Sequence, residues 1–237
     1  NFIKRYRVGF YLNHFKVFVG ETCISRDTIK DVIKKYIPSE YSNYCSYFDF
    51  LDFCTEIEKN KSHYKVSFDT ENPAKVKKEN IKEEDISKIT SSLQANEVIG
   101  LRIPVIINEK IDSGHDNEEV PKKSFVDVYL QKCEMGSGKQ DTLRRVMSVS
   151  GVRYFEGKDF NALINIQDNP AQKMFRKLET PNHKYFSNYS QEFESHYGKY
   201  RNQLNLVQKA PENLKTLFEE IDSKLDSDAA DDFFDFG

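Results

Sequence analysis

The stretch Ala162–Phe186, ALINIQDNPAQKMFRKLETPNHKYF, contains a strand, a helix start and a helix stop in direct succession. Its first five residues, up to Ile166, form an apolar run typical of a buried strand. Asp168 and Pro170 can then start a helix, because a proline in the first turn has no intrahelical hydrogen bond to lose. Pro181 ends that helix, since the residue before a proline is disfavoured in the helical region. The stretch predicts an α/β connection.

The composition fits a globular chain with substantial sheet content. The chain has 237 residues, 38% hydrophobic and 31% charged, which allows one large domain or two small ones. With 18 Phe and 13 Tyr beside many Ile and Val, its apolar residues favour strands. The formal net charge of -3 argues against a general attraction to nucleic acid but not against a local basic face.

Cysteine usage and hydropathy predict a cytoplasmic protein. The four cysteines form no CxxC pair and no zinc-like cluster with histidine. Without a signal-like apolar run, this pattern predicts reduced thiols. No stretch approaches the roughly 20 apolar residues that a membrane span needs. Because the chain opens on Asn1 rather than Met, we expect a piece of a longer protein.

The first part of the chain predicts a hairpin followed by helices. Residues 4–19 alternate in polarity, which predicts a β-hairpin. Ser25 can cap a helix that Pro38 ends. The aromatic-rich range 44–57 is compatible with a helix or a strand, and a helix is favoured. The range 59–84 has the turn signals of an exposed connection.

Strands and helices alternate in the rest of the chain. A strong strand covers 98–107, which Pro104 confines to an edge or a bulge, and a long polar loop covers 108–123. A strand at 143–152 is predicted to pair with its predecessor across a turn at 136–138. The other predicted elements are a helix around Ile86, Ile89 and Leu93, strands at 124–130 and 160–166, and helices at 169–178, 191–200 and 211–225, the last beginning at Pro211.

This order predicts an α/β (α+β) fold of mixed β-sheet layers with packed helices. We expect two subdomains, an N-terminal one at 1–110 and a C-terminal one at 111–225, followed by an acidic-aromatic tail at 226–237. In that tail Phe233, Phe234 and Phe236 are interspersed with aspartates. The pattern is equally compatible with a solvated tail and with a peptide that binds a basic, hydrophobic groove on a partner.

Two apparent motifs lack the residues that their chemistry needs. Gly136–Lys139 resembles part of a phosphate-binding loop, but Cys133 and Gln140 replace its required Gly and Ser or Thr. Pro181 prevents Glu179 and His183 from sharing the helical face of a metal site. The sequence therefore predicts no metal site and no catalytic residue. We expect His183 to fix its loop, with a catalytic role for Asp168, Glu179 and His183 as the alternative.

Lys139, Arg144 and Arg145 form the densest cationic cluster. Neighbouring strand residues point to opposite faces, so at most one of the two arginines can reach a given ligand. One interpretation is a solvated strand with an arginine paired to a carboxylate. The other is a contact with a nucleotide phosphate or another anion.

Several blocks together carry a family resemblance. They are FVDVYL at 125–130, Arg144-Arg145 through Arg153, Ala162-Leu163-Ile164 with Asp168, LETPNH at 178–183, and LNLVQKAP at 204–211. From about Ser124 to Ile221 the chain resembles the C-terminal part of bacterial GHKL-type ATPases, the class of gyrase, histidine kinases, MutL and the heat-shock chaperone. More narrowly, it is similar to the large ATP-binding proteins of restriction-like and phage-defence gene cassettes.

The resemblance implies a transducer-like fold and a non-catalytic role for this chain within a parent ATPase. An ATP-binding domain would precede it in cis and would hold ATP and Mg, since the chain lacks an ExxxN helix, a DxGxG turn and a glycine-rich lid. The chain would couple ATP-driven homodimerisation to DNA or to other proteins of the restriction-modification or defence cassette. Lys139, Arg144 or Arg145 would face the nucleotide phosphate. The alternative is a nucleic-acid- or protein-binding module without ATPase linkage, using the basic residues of 59–88, which are all lysines, and Arg144-Arg145.

Overall fold

The computed structural model describes residues 2–12, 15–71, 73–112, 117–149, 154–180, 186–187 and 191–234. Its helices are α1 (Phe2–Tyr11), α2 (Ile29–Tyr36), α3 (Pro38–Asn60), α4 (Glu83–Gln94), α5 (Asn169–Leu178), α6 (Gln191–Glu194) and α7 (Tyr200–Phe234). Its strands are β1 (Val17–Val19), β2 (Thr22–Ile24), β3 (Tyr64–Lys65), β4 (Ile99–Asp112), β5 (Asn117–Lys132), β6 (Gln140–Arg144), β7 (Met147–Val149), β8 (Phe160–Ile166) and β9 (Tyr197–Gly198).

A mixed β-sheet organises these elements. Its strand order is β3-β4-β5-β8-β6-β7, and β9 pairs with β4, while β1 and β2 form a separate hairpin. The pairs β3/β4 and β6/β8 are parallel, and the others are antiparallel. The predicted mixed α/β fold class is confirmed.

One face of the sheet is apolar and is covered by α4, α5 and α7. Side chains alternate between the two faces along each strand, and the strands contribute Ile99, Leu101, Ile103, Val126, Val128 and Ile164 to this core. The helices contribute Ile89, Met174, Phe175, Leu204, Leu214 and Phe218 to the same core. Burying such side chains is the main stabilising term of this half of the fold.

The opposite face is covered by α1, α2 and α3 and is more polar. Tyr129, Leu143 and Leu163 of the sheet pack against buried aromatic and aliphatic residues of these helices. The Tyr47 hydroxyl of α3 also donates to the Ala162 carbonyl at 2.9 Å. Arg7 of α1 pairs with Asp141 of β6 at 3.6 Å, with both side chains almost fully buried. Ion pairs and hydrogen bonds therefore lie within this interface.

The hairpin predicted for residues 4–19 is wrong. The start of that range lies in α1, and β1 pairs with β2 across Val17 and Ile24. The helix buries Val8, Phe10, Tyr11 and Leu12. Because α1 lies between the sheet and the neighbouring helices, its buried residues form no single stripe, and over so short a range their pattern resembles strand alternation.

The polar loop predicted for 108–123 is also wrong. The two long strands β4 and β5 remain paired up to Asp112 and Asn117. The side chains of 108–111 and 118–123 are half-buried or exposed, so they can be polar. Pro104 pairs opposite Phe125 without a bulge, and no described strand pairs with the outer edge of β4 at that residue. Its edge position is thus confirmed.

Other boundaries and one pairing differ from the predictions. The strand predicted at 143–152 was expected to pair with the strand at 124–130, which lies in β5. It does not, because β8 lies between β5 and β6. The range 191–200 is not one helix: α6 covers Gln191–Glu194, and α7 begins at Tyr200, with Pro211 inside it. The buried stripe of α7 already includes Leu204 and Val207, so packing stabilises the helical turns that precede Pro211.

The subdomain boundary expected at 110/111 falls inside β4, which pairs with β5 throughout.

The remaining elements agree with the sequence. Helices are confirmed at 29–36, 44–57, 86–93 and 169–178, and strands at 98–107, 124–130 and 160–166. Each has either a clear helical stripe or a run of buried β-branched residues. These elements build the centre of the sheet and position the site described next.

Candidate functional site

The carboxyl ends of the parallel strands β6 and β8 meet at one edge of the sheet. Arg144 lies opposite Ile166 in the register of the pair, and the β6–β7 turn and the start of α5 follow directly. We call this region the carboxyl edge. In open α/β sheets, ligands bind outside the carboxyl ends of the strands. The carboxyl edge is therefore a candidate binding site.

Arg144 is held in a buried ion pair at the carboxyl edge. Its Nε and Nη2 both lie 2.6 Å from Oε2 of Glu179, which follows α5. The side chains are 10% and 2% exposed. Arg144 thus ties β6 to the end of α5, in agreement with the interpretation of an arginine paired to a carboxylate. Its guanidinium is not presented to solvent.

Arg145 is the exposed cation of the same edge. It lies in the β6–β7 turn with a φ of 60°, a left-handed backbone that non-glycine residues rarely adopt. Gln167 holds this turn by donating from Nε2 to the Arg145 carbonyl at 2.8 Å. Of the three cations singled out by the sequence, Arg145 is the one whose side chain faces solvent here.

The start of α5 is already satisfied by protein groups. The Ser124 hydroxyl donates to Oδ2 of Asp168 at 2.6 Å and accepts from the Ala171 backbone N–H at 3.1 Å. Asp168 precedes the first turn, where a negative charge is favourable. Ser124 therefore caps a helix from the neighbouring strand, and Asp168 has a positioning role.

Lys139 lies away from the carboxyl edge, at the opposite end of β6. Its Nζ pairs with Oε1 of Glu156 at 3.0 Å, and its side chain is 14% exposed. The structure brings Arg144, Arg145, Asp168 and Glu179 to one edge and separates Lys139 from them. His183 and Arg153 lie outside the described residues, as does Phe236, and only the backbone of Phe233 and Phe234 is described, within α7.

A second group of ionisable residues lies on the more polar face of the sheet. We call it the polar cluster: Glu58, His63, Arg102, Asp127 and Tyr129. Arg102 donates from Nε and Nη2 to the two carboxylate oxygens of Asp127 at 2.7 and 2.9 Å, and its guanidinium stacks over the Phe125 ring at 4.0 Å. His63 Nε2 lies 2.9 Å from the Tyr129 hydroxyl and 3.8 Å from Oδ2 of Asp127.

Burial shifts the protonation equilibria of the polar cluster. Burial lowers the pKa of His63, partly opposed by the negative charge of Asp127. Burial, and then the nearby Asp127 charge, raises the pKa of Glu58. The same two causes raise the pKa of Tyr129. The neutral forms of all three side chains are favoured, as expected where charge is removed from water.

The sequence contained a signal for this cluster that our sequence prediction missed. Arg102 and Asp127 are charged residues inside otherwise apolar strands, and they lie opposite each other in the β4/β5 register. Charged residues are rarely buried unless they are paired. Glu58 lies at the end of α3 and His63 in the loop that follows, so only the tertiary fold brings them to the strands.

A polar groove of about 620 Å³ separates α7 from the loop before α4. Asn205, Lys209 and Asn213 line one wall at successive helical turns, and Lys75 and Lys77 line the other. Most lysines of 59–88 pair with neighbouring acidic residues, so they form no uniform basic face. Within the described ranges, Lys75 and Lys209 have no ion-pair partner.

Among the described side chains, no three His, Cys, Asp or Glu residues are arranged to hold a metal ion. The three cysteines whose side chains are described, Cys23, Cys54 and Cys133, are free thiols. None of the described helices combines the length and the hydrophobicity of a transmembrane segment. The described residues thus contain three candidate functional regions: the carboxyl edge, the polar cluster and the groove.

Comparison with known proteins leaves the chain without an assigned family. No family model matches it, and no curated protein or solved structure is significantly similar to it.

Proposed function

We propose that this chain is a cytoplasmic transducer region of a GHKL-type ATPase that acts in prokaryotic defence. An ATP-binding module in cis would hold ATP and Mg. This chain would transmit the nucleotide state of that module to a homodimer interface and from there to DNA or partner proteins. In this proposal the chain performs no bond chemistry, and its parent protein hydrolyses ATP.

The carrying observation is that the described blocks of the sequence resemblance lie on adjoining elements. FVDVYL lies in β5, Ala162–Ile164 in β8, and Arg144-Arg145 at the end of β6, and these strands are neighbours in the order β5-β8-β6. LNLVQKAP lies in α7, which packs on the apolar face of the same sheet. Residues far apart in sequence would therefore act as one unit.

A relay needs a rigid body with an exposed contact point, and the carboxyl edge is suited to both roles. The Arg144–Glu179 pair and the Ser124–Asp168 bond fasten α5 to two strands of the sheet. Arg145 projects from the turn between β6 and β7 at the same edge. We assign Arg145 as the residue that would contact the nucleotide phosphate, because a guanidinium suits a phosphate oxygen pair.

Changing Arg145 to Gln is expected to weaken ATP-dependent dimerisation of the full-length protein about tenfold, since a hydrogen bond to a charged group contributes roughly 1.5–3 kcal/mol. Analytical ultracentrifugation with a non-hydrolysable ATP analogue measures this effect. Lys132→Gln, an exposed cation at the end of β5, is the matched control and should leave dimerisation unchanged. Equal dimerisation of Arg145→Gln and the unmodified protein would remove Arg145 from the relay.

A second candidate function is nucleic-acid binding, favoured by the groove between α7 and the loop before α4. Lys75 and Lys209 face each other across a groove that also presents Asn205 and Asn213. Lysines and amides are common partners of phosphate oxygens. Asp69 and Glu79 also line the groove, which keeps its net charge low, so any binding would be weak.

Replacing Lys75 and Lys209 together with Gln is expected to lower the affinity for single-stranded DNA several-fold at low salt. Each lost phosphate contact should also reduce the slope of log K against log salt by about 0.7. Fluorescence anisotropy across a salt series measures both quantities. Lys61→Gln with Lys65→Gln, two exposed lysines outside the groove, is the control. No binding by the unmodified chain at low salt would eliminate this function.

A further inference from the structure

His63 lies at the junction between the helices of the polar face and the sheet. α3 ends at Asn60, and Lys61 adopts a left-handed backbone with a φ of 53° that turns the chain. β3 then adds only Tyr64 and Lys65 to the edge of β4. Such a short strand contributes few ladder hydrogen bonds, so side-chain contacts at this junction help to fasten β3 and the end of α3 to the sheet.

The imidazole of His63 is the main polar contact at this junction. Its side chain is 3% exposed, and Nε2 is hydrogen-bonded to the Tyr129 hydroxyl at 2.9 Å. Nδ1 is buried and has no hydrogen-bond partner among the described residues. A second proton on this ring would therefore lie away from water and would lack an acceptor on one side.

The groups around His63 offset an added positive charge only in part. Asp127 of β5 is the nearest carboxylate, but both of its oxygens already accept hydrogen bonds from Arg102 of β4. Glu58 of α3 interacts with the Asp127–Arg102 pair, and Cys54 of the same helix is a buried thiol. Tyr129 of β5 is neutral. The Arg102 charge itself opposes protonation of His63.

We propose that His63 is a proton-operated latch: its neutral imidazole fastens the end of α3 and β3 to the sheet, and its protonation releases them. The proton comes from solvent and binds at the imidazole, so the step breaks no covalent bond. Release would separate the junction from Tyr129 and Asp127 and would loosen β3 from the edge of β4. This inference stands on the described contacts and does not depend on the proposed ATPase linkage.

The sign of the pH dependence follows from the direction of the His63 shift. Its pKa is lowered from an ordinary value of 6.5, so its stabilising contribution is fully present above that value. The contribution is lost as the pH falls below 6.5 towards the folded-state pKa. Glu58 acts in the opposite direction, because its raised pKa favours the folded state as the pH falls towards the ordinary range of a carboxyl group. A His63 variant is therefore needed to separate the two.

Amide hydrogen exchange on the chain at pH 7.5 and 5.5, corrected for intrinsic rates, tests the latch. We expect the opening equilibrium of the Val66 amide to rise up to about tenfold per pH unit below 6.5, the limit for one linked proton. The Val66 N–H donates to the Arg102 carbonyl at 3.1 Å, so its exchange reports directly on this edge. Amides of Leu163 and Ile164 in β8 should not follow the change.

His63→Gln is the matched variant, because a glutamine can keep a hydrogen bond to Tyr129 without titrating. Its Val66 amide should show no rise in opening between the two pH values. The same rise in the variant and the unmodified chain would overturn the proposal. If His63→Gln does not fold, an NMR titration of His63 in the unmodified chain decides the matter. A midpoint below 6.5 supports the latch, and a midpoint at or above 6.5 overturns it.

Discussion

Replacing Arg144 with Met is expected to lower the free energy of unfolding by about 3–5 kcal/mol, the usual cost of breaking a buried ion pair. The change leaves the Glu179 carboxylate, 2% exposed, without its guanidinium. It also removes the contact that fastens β6 to the end of α5. Urea denaturation followed by circular dichroism measures the effect, with the midpoint shifted and the slope unchanged.

Two further variants decide whether the loss comes from the ion pair. Arg145→Met changes the adjacent, exposed arginine and should alter stability by less than about 0.5 kcal/mol. Replacing both Arg144 and Glu179 with Met should recover most of the loss, because an apolar pair of similar size is often as stable as a buried ion pair. An Arg144→Met protein as stable as the unmodified one would show that the pair does not fasten α5 to the sheet.

Replacing Gly9 with Ala is expected to destabilise the protein by about 1–3 kcal/mol, the usual cost of overpacking a well-packed core. A Cβ at this position would lie 2.2 Å from the Val146 carbonyl oxygen and 2.9 Å from the Val146 carbonyl carbon. These are backbone atoms of the β6–β7 turn, so they cannot rotate away. In an exposed helix a Gly to Ala change stabilises the protein by about 1 kcal/mol. The sign of the change in the free energy of unfolding therefore shows whether α1 packs on the β6–β7 turn.

Ser87→Ala is the control for the Gly9 variant. Ser87 is exposed on α4, and its replacement should change the free energy of unfolding by less than about 0.5 kcal/mol. Differential scanning calorimetry on both variants gives the comparison. A Gly9→Ala protein that is more stable than the unmodified one would mean that α1 does not pack on the β6–β7 turn, and would undermine the helical assignment of residues 2–11.

The elements with strong local signals were predictable from sequence. α5 begins and ends where Pro170 and Leu178 indicated, because a proline in the first turn and an apolar helical stripe act locally. The strand order β5-β8-β6 was not predictable. The parallel pairing of β6 with β8 depends on long-range packing, and the residues between them carry no pattern that specifies it.

The candidate site was predictable only in part. Arg144 and Glu179 each stand out in the sequence, and an arginine–carboxylate pair is one interpretation of Arg144, but no sequence pattern connects the two residues. Their contact depends on how α5 crosses the apolar face of the sheet. His63 was missed because nothing in its local sequence shows that Tyr129 lies 2.9 Å away. Sequence patterns predict which face is buried, whereas pairs between distant residues arise from the tertiary fold.

The proposed function requires this chain to relay the state of an ATP-binding module. The most direct measurement is amide hydrogen exchange of the full-length polypeptide with and without Mg and a non-hydrolysable ATP analogue. We predict slower exchange with the analogue in the β6–β7 turn around Arg145 and at the start of α5, and loss of that protection in Arg145→Gln. Exchange that stays the same throughout residues 99–234 while the analogue is bound would contradict the account.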